Sequence, residues 1–267
     1  MWSFCVSAIR SGFRSRAVLL ILLLGMALVG TAFLAASFSP RQPKTVTLDV
    51  GLSGVRFCLV LFAIFWVQEL IGREVEQRTV LYALAYPISR SAYIIGRYIG
   101  ICALLGVAAF GLGLLLWSSV QFSGGEYGQT FRVSLGVPYW VAIFGLWLDA
   151  AVVAAFSVWI ATLSTISMLP VVLGALFAIA GKSLGAVLDY LARGADGDKN
   201  IMDRYEPLLN IIQYVLPDLS RLDWRIWPMY GLQPENGVLM LGISLAIGYV
   251  VLLLATASLT FSRREFF

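Results

Sequence analysis

Tyr139-Trp-Val-Ala-Ile-Phe-Gly-Leu-Trp-Leu-Asp149-Ala-Ala-Val-Val-Ala-Ala-Phe-Ser-Val-Trp-Ile-Ala-Thr-Leu163 carries one charge along its whole length. A bilayer crossing needs about 20 consecutive apolar residues, and this stretch supplies them. A second apolar run, Leu169 to Leu188, follows almost at once. Tyr139 to Tyr190 is too long for one helix, and Ser164, Thr165, Ser167 and Pro170 supply turn chemistry between the two runs. Two crossings joined by a short uncharged turn make an integral membrane protein.

Working outward, four more runs meet the length requirement: Ala17 to Phe38, Gly51 to Ile71, Ile94 to Val120 and Gly237 to Phe261. The expected fold is therefore all-α, a single transmembrane domain over residues 1–267, with six spans at about 17–38, 51–71, 94–120, 139–163, 169–188 and 237–261. The second is the least regular, because Arg56 and Glu69 bracket its uncharged core. Both are expected to snorkel toward opposite headgroup layers.

Composition agrees. Of 267 residues, 60% are hydrophobic and 13% charged, which excludes a soluble globular domain. The net charge of +4 invites a nucleic-acid reading, but no Lys/Arg stripe forms and most basic residues stand at the ends of apolar runs. Cys5, Cys58 and Cys102 show no paired spacing, so neither a disulfide framework nor a metal cluster is suggested. Histidine, the commonest metal ligand and general base, is missing altogether.

Arg10, Arg14 and Arg16 precede the first run as in a secretory signal. The run is longer than a signal core, however, and its exit, Thr31 to Ser37, places large residues where small ones are required. It is read as a retained span. Ahead of it, Trp2, Val6, Ile9 and Phe13 recur at helical spacing with Arg10 and Arg14 offset, the pattern of an interfacial amphipathic helix; a frayed terminus is the plainer alternative.

Six spans place both termini on one side. With that side cytoplasmic, the inside holds Arg10, Arg14, Arg16, Arg73, Arg78, Arg90, Arg97, Arg263 and Arg264 against Glu69, Glu74, Glu76 and Glu265. The positive-inside rule selects this orientation, with Arg41, Lys44 and Arg56 arguing mildly the other way.

Between the second and third spans lies Ile71-Gly-Arg-Glu74-Val-Glu76-Gln77-Arg78-Thr79-Val-Leu81-Tyr-Ala-Leu84-Ala-Tyr-Pro87-Ile-Ser-Arg90, followed by Gly96-Arg97. Leu81, Leu84 and Ile88 keep helical spacing, polar residues crowd the start, and Pro87 ends the pattern. This is the sizeable protein surface on its side of the membrane. The segment resembles the coupling region of type-2 ABC exporter permeases, whose pattern is roughly Glu-x-Glu-x-Gly-Thr, then Leu-x-x-Pro-x-x-Arg, then Gly-Lys. It departs from that pattern at Arg78, where the family has Gly, and at Arg97, where it has Lys.

The resemblance takes in the interfacial helix, the six spans, a long segment before the last span and a basic tail, Phe261 to Phe267. Compact permeases of sodium-export, gliding-motility and copper-enzyme-maturation systems are the similar members. It implies a permease subunit in the cytoplasmic membrane of a bacterium or archaeon, a homodimer of such chains, and a separate soluble ATPase that carries the ATP and Mg. The ATPase would dock on Glu74, Glu76, Gln77, Arg78, Thr79, Leu81, Leu84, Pro87 and Arg90. ATP hydrolysis would then drive export. A second implication of the resemblance is a membrane anchor that passes ATPase motion to an extracytoplasmic partner without moving a solute.

No cofactor or metal is expected in this chain itself. Gly174 to Ser183 mimics a phosphate loop, but six residues separate its glycines instead of four and it lies in an apolar helix. Gly51-Leu-Ser53-Gly54 matches an intramembrane serine protease motif that has no histidine to serve it. Asp196, Asp198 and Asp203 suggest a Mg-dependent intramembrane transferase, yet no second acidic cluster accompanies them; Asp196 to Asn200 also starts like a calcium loop, with Ile201 at the glycine position. An enzyme is not expected.

Asp149 and Lys182 fall at similar depths in neighbouring spans, an expected intramembrane ion pair that either locks packing or lines a pathway. The segment from Asp189 to Glu235 is the other non-lipid surface. It holds an apolar run, Pro207 to Pro217, that either lies on the membrane or docks a partner, and Trp224, Trp227 and Tyr230 fit an interfacial belt. Gly96, Gly100, Gly106, Gly111 and Gly113 give the third span a small-residue face for a dimer seam or for internal packing.

Overall fold

The computed structural model describes residues 2–12, 15–39, 41–76, 89–123, 132–164, 166, 168–192 and 217–263. Nine α-helices are assigned among them: α1 (Trp2–Gly12), α2 (Arg16–Ser37), α3 (Pro43–Val67), α4 (Arg73–Glu76), α5 (Arg90–Phe122), α6 (Val137–Leu163), α7 (Leu169–Ala192), α8 (Ile226–Tyr230) and α9 (Asn236–Arg263). A π-helical stretch, Gln68–Gly72, joins α3 to α4, and a 3₁₀ turn, Leu219–Leu222, precedes α8. Six of these helices are long and apolar enough to cross a membrane.

The crossings run alternately, so the bundle has two ends. The terminal face carries Arg16, Gly72, Arg90, Leu163, Leu169 and Arg263; the distal face carries Ser37, Pro43, Phe122, Val137, Ala192 and Asn236. α6 is the hub, packing against α3, α5, α7 and α9. Its sequence explains why. Ala150 to Ala155 are all buried, and small side chains at every azimuth let four neighbours approach at once. α2 packs mainly on α3 and turns Leu19, Leu20, Leu23 and Leu34 outward, as a lipid-facing helix does.

The spans keep their predicted order, with two shifts in extent. α5 starts at Arg90, where Ser89 Oγ accepts a hydrogen bond from the Ala92 amide at 3.3 Å as an N-cap. α3 starts at Pro43, where the sequence reading began the span at Gly51. Proline at a helix start lacks only an amide that would be unpaired anyway, and Lys44 and Asp49 stand within a turn or two of the distal end, so neither charge breaks the helix. This earlier start corrects the placement of Arg56. Counted at 1.5 Å per residue it lies about 20 Å below Pro43, near the middle of the bundle and too deep to snorkel.

The glycine face of α5 packs internally where it is in contact. A Cβ at Gly113 would meet Ile143, one at Gly106 would meet Trp147, and the Tyr139 hydroxyl donates to the Gly113 carbonyl at 2.5 Å. Gly111 faces open space. At the N-terminus, α1 packs on α5 through Ala8 and Gly12, the latter against Leu104 and Trp66. The side chains of Trp2 and Ile9, and all of Phe13 and Arg14, lie outside the described residues.

Candidate functional site

Among the described residues, charge collects in two nodes, one at the terminal face and one in the distal half of the bundle. The terminal node forms where α3 gives way to α4 and the chain returns as α5. The π-helical stretch Gln68–Gly72 widens the helix there, a feature often found at functional positions. Glu69, on that stretch, accepts a hydrogen bond from Ser15 Oγ at 2.9 Å and lies 3.9 Å from Arg73. One turn on, Glu74 turns back toward the bundle. Its Oε1 pairs with Arg97 Nη2 at 2.5 Å and its Oε2 accepts the Tyr93 hydroxyl at 2.5 Å.

Arg97 is 7% exposed and its guanidinium lies over the Tyr93 ring, 5.6 Å from the centroid. Arginine here sets its cation over the ring while one guanidinium nitrogen donates to the Glu74 carboxylate. Tyr93 in turn stacks on Phe261 of α9, with centroids 5.8 Å apart, and Arg90 Nη1 donates to the Phe261 and Ser262 carbonyls at 3.3 and 3.0 Å. A cation against the last carbonyls of a helix satisfies orphan acceptors and the helix dipole together. Three elements, α4, α5 and the end of α9, are thus tied at one point.

The residues expected to dock an ATPase fall in two groups. Glu74 and Arg90 are engaged inside this chain, Glu74 keeping 27% of its side chain exposed. Glu76 lies on α4 with its side chain outside the described residues, and Gln77, Arg78, Thr79, Leu81, Leu84 and Pro87 lie outside them altogether.

The distal node is larger and deeper. Arg56 Nε on α3 donates to Asp149 Oδ2 on α6 at 2.5 Å, and Asp149 is 2% exposed. A direct Asp149 to Lys182 pair, expected from their depths, is not what forms. Asp149 takes Arg56 once α3 begins at Pro43 and brings that residue to its level. Lys182 on α7 bonds Asp223 Oδ2, in the stretch following the 3₁₀ turn. Asp223 Oδ1 accepts from Arg225 Nε at 2.8 Å, and Arg225 Nη1 reaches Asp49 at 3.1 Å and Ser53 at 2.9 Å on α3. Burial works against the ionised Asp223 carboxyl, but the hydrogen bond from Arg225 and the charge of Lys182 outweigh it and hold its pKa below the ordinary value. The Arg225 guanidinium is also penalised by burial, and Asp223 with Asp49 raises its pKa.

Small residues seat the segment that carries Asp223. Leu219 lies against Gly181, Ser220 against Gly185, and the Leu222 carbonyl with Trp224 against Gly145, positions where a Cβ would collide. The glycines of the false phosphate loop thus serve close approach. Trp224 is 5% exposed between Gly145 and Gly242, so burial replaces the expected place in an interfacial belt; Tyr230 remains 40% exposed. Residues 193–216, with the acidic stretch Asp196 to Asp203 and most of the apolar run, lie outside the described residues.

Sequence reasoning missed Asp49, Ser53, Asp223 and Arg225 as members of a network. One signal was available. Asp49, Ser53 and Arg56 follow helical spacing and share a face if the helix starts early enough.

No family model matches the chain. It is 29% identical over 140 residues to the probable ABC transporter permease protein NosY of Stutzerimonas stutzeri, a stretch that makes up 49% of this chain and 50% of that protein. The chain thus spans about half the length of the curated relative it matches. Six apolar helices of crossing length describe a multi-pass membrane protein, and about half of the chain is similar to an ABC transporter permease.

Proposed function

We propose that this chain is the membrane-spanning permease subunit of an ABC transporter, moving a substrate out of the cytoplasm with energy from ATP hydrolysed on a separate subunit. The observation that carries the reading is the Glu74 node. A charged segment emerges between α3 and α5, and its first turn is bolted to α5 and, through Tyr93 and Arg90, to the end of α9. Force applied to that segment by a docked ATPase enters three helices of a tightly packed bundle rather than a loose loop. The distant homology to a permease supports the same assignment.

In this reading the terminal face is cytoplasmic, in accord with the basic residues at the span ends, and α1 lies in the headgroup layer. Two copies form the working unit, each with its own ATPase. Glu74 and Arg90 act as internal struts for the docking segment, while Glu76 and residues 77–88 supply the contact surface. Transmission of ATPase motion to an extracytoplasmic partner, without solute transport, is the alternative. The distal segment before α9 is the surface that would serve it.

Purifying the chain with its native ATPase and adding candidate compounds tests the proposal. Stimulation of ATP hydrolysis by a solute supports export. No stimulation by any solute, with co-purification of an extracytoplasmic protein, supports the transmitting anchor. Failure of any ATPase to accompany the chain refutes both.

A further inference from the structure

The segment from Pro217 to Trp224 does not stay at the distal surface. Its contacts are Gly145, about 12 Å along α6 from Val137, and Gly181, about 16 Å along α7 from Ala192. It dips in and then returns, for the Pro228 carbonyl accepts the Ser134 amide at 2.9 Å just ahead of α6. Apart from one 3₁₀ turn this backbone is irregular, and irregular backbone at membrane depth persists only where protein buries it or a polar cavity receives it.

We propose that Leu219 to Arg225 is a removable plug in the distal half of the bundle, held shut by an ionic latch with Asp223 as keystone. The inference rests on the permease reading, for which it names the distal gate. Glycines let the backbone of the plug approach α6 and α7 closely, and Leu219, Leu222 and Trp224 pack in an apolar cluster with Leu148, Val152 and Phe177. Specific hold comes from Lys182, Asp223, Arg225 and Asp49, which bridge α7, the plug and α3.

Charge accounting favours two states over one. With the plug in place, Arg56, Lys182 and Arg225 face Asp49, Asp149 and Asp223, and the node is balanced. Withdrawing the plug takes Asp223 and Arg225 out of the node, while Arg221 leaves paired with the adjoining Asp218. The Arg56–Asp149 pair stays whole, and Lys182 and Asp49 are left to line a passage that water can enter. Apolar contacts seat the segment, and the ionic contacts beside them are what would open onto a polar wall when it withdraws.

The lever is α3. Asp49, Ser53 and Arg56 sit on its distal half, and its other end runs through Gln68–Gly72 into Glu74. Tilting α3 from the terminal face displaces the acceptors of Arg225 without breaking the bundle.

The test introduces Leu222→Cys, a buried plug position, and follows its reaction with a membrane-impermeant maleimide applied to the distal face, with the unsubstituted chain as background. Arg225→Gln or Asp223→Asn added to it is expected to speed labelling at least tenfold. Asp223→Glu, which keeps the carboxylate, is expected to leave labelling closer to the intact latch than Asp223→Asn does. Equal rates in the presence and absence of the latch charges would overturn the latch. With the latch intact and the ATPase bound, ATP turnover is expected to raise labelling over the nucleotide-free complex. Unchanged labelling, while the chain still alters the ATPase rate, would overturn the gate. An ATPase that never binds would remove the permease reading and leave the latch to be judged by its own variants.

Discussion

The two charged nodes are built on opposite plans. The terminal node joins residues around one connection, Glu74 to Tyr93 and Arg97, and reaches Ser15 and the end of α9 as distant partners. The distal node joins α3, α6, α7 and the plug, elements far apart along the chain, through Asp223 and Arg225, which are neighbours within the plug. A locally closed pair stiffens one connection. A dispersed network instead reports on the relative positions of all the helices it touches, which suits a point that must sense rearrangement.

Breaking the deepest pair should have the largest effect. Asp149→Ala leaves Arg56 charged at mid-depth, and removing one partner of a buried pair costs about 3–5 kcal/mol. Thermal unfolding of the purified chain should fall accordingly. Replacing both residues by leucine should recover most of the loss, and a double variant as unstable as Asp149→Ala would show that the pair is not the cause.

Arg97→Lys is the matching change at the terminal node. It keeps the charge but loses the fixed guanidinium fork that meets Glu74 from over the Tyr93 ring, an effect of about 1–2 kcal/mol for a hydrogen bond to a charged group. Stability should drop less than at Asp149, and coupling of ATP hydrolysis to the permease should weaken more than stability does. Equal losses in both readouts would make the node a packing element alone. Arg90→Ala should be milder still, about 1 kcal/mol, seen as faster hydrogen exchange in the last turn of α9.

The smallest effect is pH-dependent. Asp223 is held below its ordinary value of 3.8, so the unfolded chain takes up its proton first as pH falls. The stabilisation from Asp223 is whole above that value and disappears as pH drops through the lower folded one. Melting temperatures of the wild type and Asp223→Asn should differ at pH 7 and converge toward pH 3. A constant gap would contradict the linkage.

Much of the architecture was legible because lipid forces it. Each crossing must satisfy its own backbone and present apolar residues, so length and composition alone located six helices. What stayed hidden depended on three-dimensional order. The start of α3 at Pro43 sets Arg56 opposite Asp149, and hydropathy marks where a span is apolar, not where its helix begins. Trp224 looked like a belt residue because nothing local distinguishes an aromatic at the headgroups from one wedged between Gly145 and Gly242. At the terminal node Glu74 and Arg90 bind their own chain, which a pattern of exposed charges does not disclose.

Binding and coupling of the ATPase by a chain carrying Glu74→Lys and Glu76→Lys test the central claim most directly. Membranes containing the wild type should retain the ATPase and change its rate of hydrolysis, while the double variant should insert its six spans and either release the ATPase or leave its rate unaltered. Wild-type binding and coupling in the double variant would contradict the assignment of this segment as the point where ATP-driven force enters the bundle.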